Sequence, residues 1–334
     1  MADSKLRSLL TLVVVAAATG CPPVLPPRPD LPRPGSLGDC TSGSTPEGAH
    51  AGGAGCAAAS LTTLKGILHA FVEEDPTLSL DATAEENANA IIDELETQTN
   101  ACADATLSVG GADSATLDVD FGEGCDVVSS GLVVAGAASV TVAKAGGTVT
   151  VTVTATALAA EGYTFDGTAS IATDDLLAYT LSVDVTADPI GDVTFEGTTA
   201  VSGSTIDDLA ISFDGAGTFT ALTPAPVIVG PATTCVAAGA LTLEIADFER
   251  TFAACHAGAG TVAATQEYTC SRERVGGGTT DNDGTLTLTL AFDADTSTSG
   301  AVTVTAAVDP GFGDEPVSTT TEVQLPSLRT DCAE

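Results

Sequence analysis

The stretch Gly147–Leu158 reads Gly-Thr-Val-Thr-Val-Thr-Val-Thr-Ala-Thr-Ala-Leu. Val149, Val151, Val153, Ala155 and Ala157 fall at one parity; Thr148, Thr150, Thr152, Thr154 and Thr156 fall at the other. A strict period of two predicts a half-buried β-strand, because successive side chains leave opposite faces of a sheet. β-Branched residues suit that pleated surface. The alternation returns from about Thr106 to Leu325, so it constrains most of the chain. Strand candidates are Ala115–Phe121, Leu132–Ala143, Thr148–Leu158, Tyr163–Ala172, Ala178–Ala187, Asp192–Ser202, Asp208–Asp214 and Gly217–Leu222. Turn signals at Lys144–Gly147, Glu161-Gly162, Asp188-Pro189 and Ser202–Ser204 separate most of them, and loops this short make neighbours antiparallel.

Thr223–Cys235 interrupts the series with three prolines, as an edge strand or a crossover. Ala240–Phe248, Thr261–Cys270, Gly284–Asp293, Gly300–Val308 and Val317–Leu325 then resume it. The expected fold is mainly β: a large antiparallel meander, bent into an open sheet or partial barrel, with a two-sheet sandwich as the alternative. The later strands continue the same sheet system; the competing reading is a second β subdomain with a boundary near 224–235.

Aromatic residues are 4% of the chain and Trp is absent, so the core must be aliphatic. The net charge of −35 sets nucleic acid and anionic lipid aside as partners. An acidic excess suits either a high-salt or Ca²⁺-rich setting or, more simply, the solubility of an exposed protein.

The beginning of the chain reads as an export signal. Lys5 and Arg7 precede the apolar run Leu9–Ala18, which is too short for the ~20 residues a bilayer span needs. The run closes on Ala18-Thr19-Gly20-Cys21, which resembles the lipobox of bacterial lipoproteins; the competing reading is ordinary cleavage after a small residue such as Ala18. The resemblance implies removal of residues 1–20 and a lipid on Cys21, the membrane then being a partner through that anchor. Pro22 rather than Asp follows the cysteine, and the sorting this resembles favours the outer membrane, on its periplasmic or cell-surface side. Cleavage removes Lys5, Arg7 and Asp3, leaving the mature chain one unit more negative than −35. Pro22–Gly35 is a polyproline-type tether with a reach of ~45 Å at ~3.1 Å per residue. With the Gly/Ser/Ala-rich residues 36–55 it separates anchor from body, so the expected parts are 1–20, 21–55 and 56–334.

Two amphipathic helices are predicted ahead of the sheet. Leu61, Leu64, Ile67, Leu68, Phe71 and Val72 recur at helical spacing over Leu61–Glu74. Over Thr83–Asn100, Thr83-Ala-Glu-Glu86 resembles a capping box, and Ala88, Ile91, Ile92 and Leu95 form the apolar face. Such a pair cannot stand alone and should cover an apolar face of the sheet. His69 lies in the first helix, apart from any other histidine, and a surface or half-buried role outweighs catalysis.

Thr164-Phe-Asp-Gly-Thr168 matches Thr194-Phe-Glu-Gly-Thr198, Asp174-Asp175-Leu176 matches Asp207-Asp208-Leu209, and Phe213-Asp214-Gly215 echoes the first motif. The repeat is either a ligand site or a recurring bulge whose glycine takes positive φ, and the structural reading is preferred. The element Phe121-Gly-Glu-Gly-Cys125, with the lipobox, the helical segment and the Thr/Val meander, resembles a family of secreted lipoproteins from high-GC bacteria over about residues 56–220. That resemblance implies fold and location and carries no activity.

There are nine cysteines. With Cys21 lipidated, Cys40, Cys56, Cys102, Cys125, Cys235, Cys255, Cys270 and Cys332 remain, an even number that suggests disulfides in an exported chain. Spacing suggests Cys102–Cys125 and Cys255–Cys270, with Cys40–Cys56 and Cys235–Cys332 left over, among 105 possible pairings. Without Cys-x-x-Cys and with few histidines, a zinc site is not expected. No nucleophile elbow, zincin motif or phosphate loop occurs. Gly258-Ala-Gly260 lacks the strand-turn-helix context of a dinucleotide site, and Cys255-His256 reads as a bridged cysteine beside a loop histidine rather than a nucleophile. Asp281-Asn-Asp283-Gly284 begins like a Ca²⁺ loop but lacks the distal Glu and is read as a hairpin turn. The acidic pairs Asp174/Asp175 and Asp207/Asp208 read as solvated turns. No catalytic residue, metal or cofactor is therefore assigned. The expected function is an envelope lipoprotein with a structural or interaction role and not an enzyme, with carriage of an apolar ligand between sheet and helices as the alternative.

Overall fold

Where apolar and polar side chains alternate, strands form; where Thr83 supplies a cap, a helix begins. The computed structural model describes residues 78–127, 132–160, 162–175, 178–188, 191–202, 210–220, 227–228, 233–251, 257–309, 311–312 and 317–324. Of these, 78–201 form one compact unit and 202–324 another.

The first unit opens with helix α1, Ala84–Gln98. Its capping box is complete: Thr83 Oγ1 accepts from the Glu86 N–H at 3.2 Å, and Glu86 Oε2 accepts from the Thr83 N–H at 2.7 Å. Glu85 and Glu86 face the positive end of the helix dipole. Hydrogen bonding to Thr83, above all through its backbone, holds the Glu86 carboxyl below its ordinary pKa. Ala84, Ala88, Ile91 and Leu95 are buried on the sheet side. Asn87 is buried with them because its amide is matched at both ends, accepting from the Ser79 N–H at 2.8 Å and donating to the Ser79 carbonyl at 3.1 Å. The other expected helix, Leu61–Glu74, lies outside the described residues.

Eight strands follow: β1 Asp104–Gly111, β2 Ser114–Asp120, β3 Cys125–Val127, β4 Leu132–Ala145, β5 Thr148–Ala160, β6 Tyr163–Asp175, β7 Ala178–Asp188 and β8 Gly191–Ser202. Their antiparallel order is β1-β2-β4-β5-β6-β7-β8, with β3 paired to β4 alone. Helix α1 packs on β1, β2 and β4. Lys144 of β4 donates to the carbonyl of Ala82 at 2.8 Å, tying the helix entry to the sheet. The core face carries Leu117, Phe121, Val140, Val151, Leu158, Phe165, Val185 and Phe195, each at most 3% exposed.

The second unit holds β9 Ala210–Phe219, β10 Val227–Ile228, β11 Thr233–Thr251, β12 Ala259–Glu273, β13 Thr279–Phe292, the one-turn helix α2 Thr296–Ser299, β14 Ala301–Asp309 and β15 Val317–Gln324. The antiparallel order is β9-β11-β12-β13-β14-β15, with β10 paired to β11. Phe248 and Phe292 meet edge to face at 5.1 Å within its core. The fold is thus the expected meander, mainly β and open: the strand order in each unit is linear and does not close on itself.

Several boundaries differ from the sequence reading. β1 and β3 were not among the strand candidates. Asp208–Asp214 and Gly217–Leu222 are not two strands, because β9 runs through Gly215. Asp281–Gly284 is not a turn: these residues pair with Ser271, Cys270, Thr269 and Tyr268 of β12, and the hairpin tip lies at Val275–Gly278, where three consecutive glycines take positive φ. The glycine run outcompetes the Asp-Asn-Asp-Gly signal because only glycine adopts that backbone without a Cβ penalty.

Candidate functional site

The repeated Phe-Asp-Gly motif has a definite geometry. Strand β5 carries one extra residue between Ala155 and Leu158, opposite the uninterrupted Gly167–Phe165 of β6. Ala157 sits at φ 49° and its N–H donates to Asp166 Oδ1 at 2.7 Å. On the other side of β5, Gly136 of β4 takes φ 98°, and a Cβ there would lie 2.4 Å from the Ala157 carbonyl oxygen. The extra residue reverses the parity of the strand. Val149, Val151, Val153 and Ala155 are buried, then Leu158 and Ala160; Ala157, expected on the valine face, is exposed.

The second unit repeats the device. Asp247 of β11 is extra between Ile245 and Phe248, sits at φ 51°, and donates its N–H to Asp214 Oδ1 at 2.6 Å. Gly260 of β12, at φ 103°, leaves room for the Asp247 carbonyl oxygen, which a Cβ would approach to 2.6 Å. In each case the motif's phenylalanine is buried opposite the first residue after the bulge: Phe165 against Leu158, Phe213 against Phe248. The repeat thus marks a bulge in two copies, but on the neighbouring strand rather than its own, and of the motif glycines Gly167 takes positive φ while Gly215 does not. The third, Phe195-Glu196-Gly197, pairs with Val183, Ser182 and Leu181 of β7 with no shift in register.

The Phe-Gly-x-Gly-Cys element is a tight connection. Phe121 is buried; its N–H donates to the Gly136 carbonyl at 2.8 Å and its carbonyl accepts from the Gly124 N–H at 3.2 Å. The turn delivers Cys125 to Cys102, with which it forms the expected disulfide across a Cα–Cα distance of 5.8 Å.

Two features of the sheet bear on function. The first is its solvent face. Across the first unit, Ser108, Thr116, Thr141, Thr152, Ser170 and Ser182 stand directly opposite one another on six successive strands, and the row ends at Glu196. In the second unit Thr218, Thr242, Thr265 and Thr287 form the equivalent row. The Thr265 and Thr287 hydroxyls lie 3.1 Å apart, within hydrogen-bond distance. Directly opposed hydroxyl side chains reinforce a sheet by a few tenths to ~1 kcal/mol per pair while keeping its surface hydrated.

The second feature is on the core face. Tyr179 of β7 and Thr199 of β8 are direct register partners. Tyr179 shares the parity of Leu181, Val183 and Val185, and Thr199 that of Val193 and Phe195. Thr199 is 4% exposed, and the two buried hydroxyls have at most each other as hydrogen-bond partner. Burial raises the Tyr179 phenol well above its ordinary pKa, and the neighbouring Thr199 hydroxyl offsets only part of this. Buried hydroxyls need hydrogen-bond partners, so two facing each other with no further partner mark a polar spot in an apolar surface. Sequence reading passed over both; the available signal was a Tyr and a Thr at the core parity of otherwise aliphatic strands. Tyr268 of β12 is also buried without a partner, and burial pushes its phenol up to about 12.

The remaining candidates are scattered. Cys21, Cys40, Cys56, Cys255, Cys332, His69 and His256 lie outside the described residues, as do Asp207 and Asp208. Cys270 is disulfide-bonded. Asp174 and Asp175 end β6 on the exposed side. Asp281 accepts from Ser271 Oγ at 2.6 Å within the β12–β13 ladder. Gly258 and Gly260 belong to the approach to the Asp247 bulge, with the Gly258 N–H donating to the Glu249 carbonyl at 2.9 Å. Among the described residues, no three His, Cys, Asp or Glu side chains gather as a metal set. No protein-family model matches the chain, and neither a curated protein nor a solved structure similar to it is found.

Proposed function

We propose that the chain is a cell-envelope lipoprotein with a structural or interaction role, held at the outer membrane by a lipid on Cys21 and raised from it by the Pro-rich tether. The observation that carries this reading is the solvent face, with ordered hydroxyl rows in both units under a net charge of −35. Such a face stays hydrated and repels like-charged neighbours, which suits a protein displayed at a surface. The test is native mass spectrometry of the protein purified from its host in detergent. The expected species is the polypeptide beginning at Cys21 with its acyl chains and nothing else bound. A species cleaved after Ala18 and lacking acyl chains would refute the anchor.

A second reading is supported by the facing hydroxyls of Tyr179 and Thr199: carriage of an apolar ligand whose polar head meets them. A retained lipid or small molecule at near-unit stoichiometry, lost in Tyr179→Phe/Thr199→Val, would replace the first reading by this one.

A further inference from the structure

We infer that the disulfide partner of Cys270 is Cys235, a bond that staples β11 to β12. Cys235 and Cys270 are direct antiparallel register partners. Residues so opposed share a face of the sheet, with Cα atoms ~4.5–5.5 Å apart, inside the ~4.4–6.8 Å that a disulfide spans. The face is fixed from both sides. Cys270 is 1% exposed and belongs to the buried set Val262, Ala264, Gln266, Tyr268 and Cys270 along β12. On β11, the flanking Thr234 and Val236 are exposed, Val236 by 50%, and Cys235 holds the strand position of opposite parity between them.

Cys270 is held in a disulfide, and no rearrangement of the described backbone is needed to reach position 235. Cys255, the partner that sequence spacing suggested, follows the far end of β11 beyond Thr251. The ladder there places Glu249 against Ala259, whereas Cys270 pairs at the opposite end of β12. At ~3.3 Å per residue, the run from Ala259 to Cys270 spans roughly 36 Å. The short segment 252–256 cannot carry Cys255 back over that length.

The bond forms by thiol–disulfide exchange with a protein disulfide donor of the exporting compartment. One thiolate of the pair attacks the donor disulfide, giving a mixed disulfide and a donor thiol. The second thiolate displaces the donor's other sulfur, so two thiols lose two protons and two electrons and the donor gains both. The staple has a place to act: between Ala237 and Leu241, β11 carries two residues more than β12 matches, and the ladder is interrupted there. The strand segment beyond that interruption, Thr233–Ala237, is tied to β12 by the bond. With Cys102–Cys125 already formed and Cys21 acylated, Cys40, Cys56, Cys255 and Cys332 remain, and only three connectivities are possible among them.

The test is peptide mapping without reduction on the full-length protein, with free thiols alkylated before digestion. A crosslinked peptide containing Cys235 and Cys270 is expected. Cys270 linked to Cys255 or to any other cysteine, or recovered alkylated, would overturn the assignment. A second measurement stands apart from digestion. In Cys235→Ser, thiol titration after denaturation should yield one new thiol per chain, located at Cys270. No new thiol at Cys270 would equally refute the pairing.

Discussion

Gly136→Ala and Gly147→Ala place the same methyl group at nearly the same backbone angle, φ 98° and 94°, on the same pair of strands. At Gly147, in the β4–β5 turn, nothing lies within 4 Å of the new Cβ. At Gly136 the Ala157 carbonyl oxygen would lie 2.4 Å away and Leu158 Cα 3.3 Å away, both of them backbone. Positive φ costs an alanine roughly 1–3 kcal/mol at either site. Overpacking adds ~1–3 kcal/mol at Gly136 alone, because neither β4 nor the bulge can retreat without breaking the ladder. With a urea m-value of ~3 kcal/mol/M, that excess separates the two unfolding midpoints by about 0.3–1 M. Urea denaturation followed by far-UV circular dichroism, at unchanged m, reads the difference directly. Equal midpoint shifts, or a larger loss in Gly147→Ala, would refute the argument that close backbone approach at the bulge, rather than φ, fixes Gly136.

Asp166→Ala should destabilise by about 0.5–1.5 kcal/mol by removing the acceptor for the Ala157 N–H, and Asp166→Asn by less because an amide oxygen remains; thermal melts of both variants check the order. Reducing or replacing Cys102–Cys125, a bridge across a sequence separation of 23, should cost roughly 3 kcal/mol, measurable as a lowered urea midpoint in Cys102→Ala/Cys125→Ala. All three tyrosines have pKa values raised by burial from 10.0. Folding therefore holds their protons. Stability should be undiminished below pH 10 and fall as pH rises above it, with the native protein showing less phenolate absorbance near pH 10 than the unfolded chain. Glu86 and Asp293 are held below their ordinary pKa, chiefly by backbone hydrogen bonds from Thr83 and Thr296. The contributions of Glu86 in its capping box and of Asp293, which accepts from the Asp295 and Thr296 N–H groups, should be complete above the ordinary carboxylate range and disappear as pH falls through the depressed values, which ¹³C-detected carboxyl titration would locate.

Strand parity was the most legible property of the chain. It located β2 and β4 through β8 to within a few residues, because each contains a run of alternation bounded by turn residues. β1 escaped although Ala105, Leu107 and Val109 alternate with Asp104, Thr106 and Ser108: the run is short and ends in Gly110-Gly111, and the strand is mostly exposed, held by pairing to β2 rather than by burial. The placement of the bulges on β5 and β11 escaped for a different reason. In Thr154-Ala-Thr-Ala-Leu158 the residues on both faces are small, so a slip of parity leaves no contrast in hydrophobicity; only the Asp-Gly on the next strand betrays it. Tyr179 and Thr199 show the limit for the candidate site. Each is an ordinary strand residue by composition, and their significance lies in facing one another across a ladder that one strand read alone does not contain.

The two bulge modules also speak to history. Along the chain, the first runs glycine strand, bulged strand, Phe-Asp-Gly strand: Gly136, Ala157, Asp166. The second runs in the reverse order, Asp214, Asp247, Gly260. Copying a gene segment preserves the direction of the polypeptide, so no tandem duplication turns one module into the other. An antiparallel strand has neighbours of the same direction on both sides, and a bulge can take its acceptor from either. The shared trio of an acidic cap, a left-handed residue and a glycine is therefore a twice-found solution to bending a long strand. Within such folds, resemblance between distant hairpins measures shared mechanics before it measures shared ancestry.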